Sequence, residues 1–139
     1  MMENAYVLDA CALIALLEKE DGANVVLKLY NEAKTNRIKL MMSKLNLLEV
    51  YYGTLRDYGL DQAHKLIESI SKSPIQIVSD FSDEVFVEAG RLKASYKISL
   101  ADSIALAEAA VRQALLVTCD HHEFDIIEQN EPIKFLWIR

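Results

Sequence analysis

Asp9 stands between two apolar stretches: Ala5 to Leu8, which suits a buried strand, and Ala10 to Leu17, whose later part suits an apolar helix. A carboxylate in such a place needs a partner, because burying an unpaired charge is costly. Asp120 repeats the arrangement after Leu115-Leu116-Val117-Thr118. Glu49 lies four residues from Leu45 and three from Tyr52, and Asp102 falls in the first turn of the apolar stretch Ser99-Leu100-Ala101-Asp102-Ser103-Ile104. Four carboxylates packed together without a counter-charge repel and raise one another's pKa values. Hard divalent cations relieve this, since Mg2+ and Mn2+ take carboxylate oxygens and keep waters. A cation so held activates a water and stabilises charge on a phosphoryl oxygen, and two can clamp both the attacking and the leaving oxygen. These residue types therefore point to a site that holds a divalent cation.

Positioning the four acids requires strand ends and helix starts in the right order. Hydrophobic periodicity predicts strands at 5–9, 38–42, 75–78, 115–118 and 134–138. It predicts helices at 12–19, 22–36, onward from the cap Ser43, 61–72, Ser82 to Tyr96, Ser99 to Ala114, and 123–129. The helix after Ser43 is expected to bury a stripe of Leu45, Leu48, Tyr52 and Leu55, with Glu49 at its border and Asn46 on the face of Glu49. Ile98, Leu100, Ile104 and Leu106 predict that the turn carrying Asp102 is largely buried. Alternating elements predict an α/β fold: a three-layer α/β/α sandwich around a central five-stranded parallel sheet, one domain over 1–139. Such sheets carry functional groups beyond the carboxyl ends of their strands. If the strands before Asp9 and Asp120 are neighbours, both carboxylates enter one crevice.

Composition sets outer bounds. Of 139 residues, 52% are hydrophobic and 26% charged, which fits a globular chain and not a disordered one. The longest apolar run, Ala10–Leu17, is too short to span a bilayer, and no signal-peptide pattern surrounds it. Two cysteines, Cys11 and Cys119, are too few for a disulfide framework, so a cytoplasmic protein is expected. The net charge of −6 argues against nonspecific nucleic-acid binding, which relies on Lys and Arg. Two bound divalent cations would bring it to −2, and Arg56, Arg91, Lys93 and Lys97 are candidates for a local basic rim.

The stretches Tyr6-Val7-Leu8-Asp9-Ala10-Cys11, Asn46-Leu47-Leu48-Glu49, Ser99-Leu100-Ala101-Asp102-Ser103 and Leu116-Val117-Thr118-Cys119-Asp120 together resemble the four motifs of the PIN domain, specifically the VapC-like toxin ribonucleases. The resemblance covers nearly the whole chain, in order. It implies that Asp9, Glu49, Asp102 and Asp120 bind one or two Mg2+ or Mn2+ ions and cleave single-stranded or looped RNA by metal-activated water. It also implies a homodimer and a small antitoxin that blocks the site. Where members often carry Ser or Thr two positions after the first Asp, this chain has Cys11. A thiol is a weaker donor than a hydroxyl, so the bond that orients Asp9 is either weaker here or supplied by Thr118.

Each residue also has a plainer reading. Ser99 and Asp102 are close to a capping box. Glu49 alone reads as a solvated helix acid, and Asp120 as a turn residue or cap. Asn46 either supports Glu49, touches substrate or does neither. Asp80, Asp83 and Glu84 read as caps and first-turn acids. His121 and His122 read as loop residues, since adjacent histidines make a poor metal pair. Cys11 and Cys119 are expected near the crevice as small buried hydrophobic side chains, not nucleophiles. Tyr51, Tyr52 and Tyr58 suit a packed core or dimer interface better than a base-stacking platform. Two rival functions stand beside the nuclease: a phospho-acceptor receiver domain, using Asp9, Asp80 and Thr118, and a catalytically silent PIN scaffold. A haloacid-dehalogenase-type phosphatase would need a second Asp where Cys11 stands.

Overall fold

The computed structural model describes residues 4–139. In chain order the elements are β1 (Ala5–Leu8), α1 (Ala10–Leu17), α2 (Ala23–Lys34), β2 (Lys39–Ser43), α3 (Lys44–Tyr58), α4 (Leu60–Ser71), β3 (Gln76–Val78), α5 (Asp83–Ser95), α6 (Leu100–Arg112), β4 (Leu115–Thr118), α7 (His121–Asn130) and β5 (Phe135–Trp137). The five strands form one parallel sheet in the order β3-β2-β1-β4-β5. This is the α/β/α architecture expected from the alternating pattern.

Both faces of the sheet are covered, as parallel sheets require. Side chains alternate across each strand. Leu8, Leu40, Met42 and Val117 point to one side, where they pack with Leu13, Val26, Leu29, Val50, Leu66 and other residues of the first four helices. Val7, Met41 and Leu116 point to the other, against Val85, Leu92, Leu106, Phe124 and Ile127 from the last three.

The helix starts follow local chemistry. Ser43, Ser82 and Ser99 each accept the backbone N–H three residues on, satisfying an amide that would otherwise be orphaned. Asp9 and Asp120 do the same for α1 and α7. The predicted short helix at 123–129 therefore begins earlier, at His121, because Asp120 serves as its cap.

Two expectations about helix faces are corrected. On α3 the buried residues are Asn46, Leu47 and Val50, whereas Leu48, Tyr52 and Leu55 are exposed. Two apolar stripes are available on that helix, and packing on the sheet selects the one the spacing did not favour. On α6 Ile104 and Leu106 are buried but Leu100 is exposed, so the turn bearing Asp102 opens toward solvent on one side.

The strand order matters for function. The chain builds outward from β1 through β2 to β3 and then crosses to β4 on the other side of β1, so the order reverses between β1 and β4. In open α/β sheets, ligands bind at such a switch point, beyond the carboxyl ends of the strands.

Candidate active site

β1 and β4 are neighbours, with Leu8 in register with Val117, so the residues that follow them, Asp9 and Thr118, face each other across the switch point. The amide of Asp9 extends the ladder by donating to the Val117 carbonyl at 3.3 Å. Asp9 is buried, 3% exposed. One carboxylate oxygen accepts the Ala12 amide at 2.9 Å, and the other accepts the Thr118 hydroxyl at 2.5 Å. The Thr118 hydroxyl also accepts the Asp120 amide at 3.1 Å. A single side chain thus ties the acid after β1 to the acid after β4. It gives Asp9 the hydroxyl partner that Cys11 does not.

Glu49 and Asp102 arrive from the helices. α6 packs on β1, β2, β4 and α3. Fully buried Asn46 joins α3 to α6: its amide group donates to the Ala101 carbonyl at 3.2 Å, and its oxygen accepts the Ser43 hydroxyl at 2.7 Å. Glu49 lies one helical turn beyond Asn46 and Asp102 one residue beyond Ala101, so this bridge sets the spacing of the two acids. Asn46 also pulls the Glu49 carboxyl down, against a larger push upward from burial.

The four acids share one electrostatic environment. Burial, partly offset by the Thr118 and Ala12 hydrogen bonds, pushes the Asp9 carboxyl up to about 7, and the charges of Asp102 and Asp120 push in the same direction. Asp102 is raised to about 6, first by burial and then by Asp120, Glu49 and Glu123. None of the four forms an ion pair with a described lysine or arginine. Sequence reasoning missed Glu123. Its amide donates to Asp120 at 3.2 Å, and its place three residues after a capping Asp was a readable signal.

Other predicted residues lie elsewhere. Asp80 is exposed after β3 at the sheet edge. A receiver-like sheet runs in the order 2-1-3-4-5, which would bring that residue beside Asp9; here β2 separates β3 from β1, and the receiver reading fails. Arg91 pairs with Glu88 and Glu131, and Arg56 with Asp57, so neither is a free cation for a basic rim. His121 stacks on Trp137 and bonds Asp125 and the Arg139 carbonyl, anchoring the end of the chain. Cys11 and Cys119 lie beside the crevice as expected, but they are not separate side chains: they are joined by a disulfide.

No three described His, Cys, Asp or Glu side chains are close enough to enclose an ion as they stand. The donor set is nevertheless all carboxylate oxygen, the kind that Mg2+ and Mn2+ take, and Mg2+ commonly uses one or two carboxylates with water completing its shell. The residues fit such an ion in chemistry and in charge.

The PIN domain family model matches residues 6–129. The chain belongs to the PIN domain family. Among solved structures, this PIN domain is similar to a toxin-antitoxin complex from Klebsiella pneumoniae, with a TM-score of 0.72 at 19% identity over 96% of this chain and 98% of that one. It is similar to VapBC-1 from nontypeable Haemophilus influenzae, with a TM-score of 0.73 at 19% identity, covering 96% and 98%. It also resembles DNA-bound VapBC from Salmonella typhimurium, with a TM-score of 0.74 at 17% identity, covering 99% and 100%. No curated protein matches it by sequence. At these identities the structural likeness establishes the PIN fold. Among the described residues of this PIN domain, no helix is long and apolar enough to cross a membrane.

Proposed function

We propose that this PIN domain is a metal-dependent endoribonuclease, the toxin of a toxin–antitoxin pair. The observation that carries the reading is a buried Asp9 whose carboxylate receives only neutral donors, beside the charges of Asp102 and Asp120 and unpaired with any described lysine or arginine. Structural ion-pair networks also shift pKa values, but they contain their own counter-charge. Here none of the four acids forms an ion pair with a described lysine or arginine, and the set calls for a positive charge from outside.

Asp9, Glu49, Asp102 and Asp120 would hold Mg2+ or Mn2+, with Asp9 and Asp102 dominant. When bound, the ion supplies an activated water and stabilises charge on the scissile phosphate. The chain's own work is positioning. Thr118 fixes the Asp9 carboxylate and the Asp120 backbone together. Asn46 fixes α3 against α6. The N-termini of α1, α6 and α7 open at the crevice, and their amides favour negative charge there. Without the cation a phosphodiester would still meet the repulsion of the four carboxylates, so binding and cleavage of RNA are expected to depend jointly on the ion.

An antitoxin partner is supported by the toxin-antitoxin complexes among the structural neighbours. The exposed apolar residues Leu17, Tyr52 and Tyr58, which share a cavity with Glu49, offer such a partner a docking face, and an inserted arginine would find acid there. A homodimer through exposed apolar surface and a cytoplasmic location belong to the same proposal. Incubation with structured RNAs and Mg2+ or Mn2+ tests it. Wild type should cleave at least one RNA, and Asp9→Asn or Asp102→Asn should not. Equal cleavage by folded wild type and variants would refute the assignment.

A further inference from the structure

The nuclease reading leaves Cys11 and Cys119 without a role. They are 108 residues apart in sequence, yet their Cα atoms are 6.2 Å apart and the side chains are bonded. That Cα separation falls within the range that disulfides span. Their placement is specific. Cys11 lies in the first turn of α1, two residues after Asp9. Cys119 is the single residue between Thr118 and Asp120. The bond therefore runs alongside the Thr118–Asp9 contact and spans the same gap, between the helix that Asp9 caps and the turn that presents Asp120. Both cysteines are half-buried, so each is within reach of a small thiol.

We propose that Cys11 and Cys119 form a reversible thiol–disulfide modification site that clamps the Asp120 turn onto α1, so that the oxidation state of the pair sets how firmly the crevice holds a cation. Oxidation proceeds by exchange with a low-molecular-weight disulfide. One protein thiol attacks it, forming a mixed disulfide and releasing one small thiol. The second protein thiol then displaces the other. The Cys11–Cys119 bond forms and the small S–S bond breaks. Two electrons pass from the protein to the reagent, and the two protons leave on its two thiols. Excess dithiol reverses the reaction.

The direction of the effect follows from charge. Asp9, Asp102 and Asp120 repel one another. Without the disulfide the Asp120 turn would keep only its hydrogen bonds, from the Asp120 amide to Thr118, from the Glu123 and Phe124 amides to Asp120 and from the His121 amide to Cys119. Repulsion then works against non-covalent contacts alone, and the acids spread. The covalent clamp limits this spreading, so that the Asp120 turn stays beside Asp9 and an incoming ion has less chain to draw together.

The test is hydrogen exchange at residues 119–121 together with calorimetric titration by Mn2+ alone, on full-length protein equilibrated with oxidised or reduced glutathione and checked by thiol alkylation. Reduction should speed exchange in that turn and weaken Mn2+ binding, each by about tenfold, the scale seen when a ligand loses an outer support. Cys11→Ser and Cys119→Ser should match the reduced protein whether or not oxidant is present; a serine variant that still responds overturns the proposal. So does failure of the disulfide to form, exchange that is indifferent to redox state, or Mn2+ binding of equal or greater strength on reduction. The ion measurement rests on the metal reading of the crevice, and the exchange measurement does not. Redox-dependent exchange with no Mn2+ bound in either state would support the clamp and sink the metal reading instead.

Discussion

Glu131 and Asp9 are both carboxylates with little exposure, and the protein treats them in opposite ways. Glu131, just past α7, accepts two hydrogen bonds from Arg91 on α5 and one from Tyr96. Arg91, ahead of burial, draws its carboxyl below the ordinary range. Asp9, just past β1, receives only neutral donors, and burial pushes it up to about 7. The first carboxylate is satisfied within the fold and contributes to holding α5 near the end of α7. The second is left short of a positive charge at the place where α/β sheets bind ligands. Folding alone gives no reason to tolerate this, since a neutral residue could cap α1 equally well. An incoming cation does.

The largest effect should come from removing the uncompensated charge where it acts. Asp9→Asn or Asp102→Asn should lower metal-dependent RNA cleavage by at least about 100-fold, since ion-mediated charge stabilisation is worth several kcal/mol. Retention of most activity in either folded variant would place the chemistry elsewhere.

Stability should move the other way. Asp9 ionises near 7 in the native state against 3.8 unfolded. Between those values the native state holds the extra proton, so the group's contribution is full below the unfolded value and is lost as the pH rises through 7. With chelator present, Asp9→Asn should therefore be more stable than wild type near pH 8, by up to about 4 kcal/mol for a shift of this size. The gap should close toward about pH 4. Chemical denaturation at the two pH values measures this, and a variant less stable than wild type at the higher one would show that Asp9 is satisfied after all.

Thr118→Val tests the neutral partner. It removes the hydroxyl donor to Asp9 while keeping the shape, and should cost about tenfold in Mn2+ affinity or cleavage. It should also raise the Asp9 pKa further, as titration by NMR would show. The smallest effect belongs to the self-neutralised pair. Glu131→Gln should cost below about 1 kcal/mol at neutral pH, because Arg91 is 47% exposed and its partnership is screened by water. The contribution of Glu131 should be present above the ordinary carboxylate range and fade as the pH falls through its lowered native value. Cleavage should be unaffected.

Much of this contrast was legible in the sequence. Asp9 was conspicuous because apolar runs flank it on both sides, and the caps Ser43, Ser82 and Ser99 were readable because capping is local chemistry. At Cys11 the sequence left two alternatives, a weaker bond to Asp9 or a hydroxyl from Thr118, and the structure has the Thr118 contact. What escaped reading depends on which residues meet across the fold. The buried face of α3 was misassigned because Leu45, Leu48, Tyr52 and Leu55 are as apolar as the residues that pack inward. For Arg91, the partner Glu88 three residues earlier was readable, but Glu131, 40 residues away in sequence, was not. The Cys11–Cys119 bond was not anticipated because two cysteines carry no pattern, even though both were expected beside the crevice.

The account turns on whether the crevice takes up its missing positive charge from solution. Calorimetric titration of Mn2+ into the oxidised, RNA-free protein at neutral pH measures that directly. Wild type should bind one or two ions with release of protons from Asp9 and Asp102, and Asp9→Asn should abolish or severely weaken binding while Glu131→Gln leaves it intact. No binding by wild type, or equal binding by the Asp9 variant, would contradict the account.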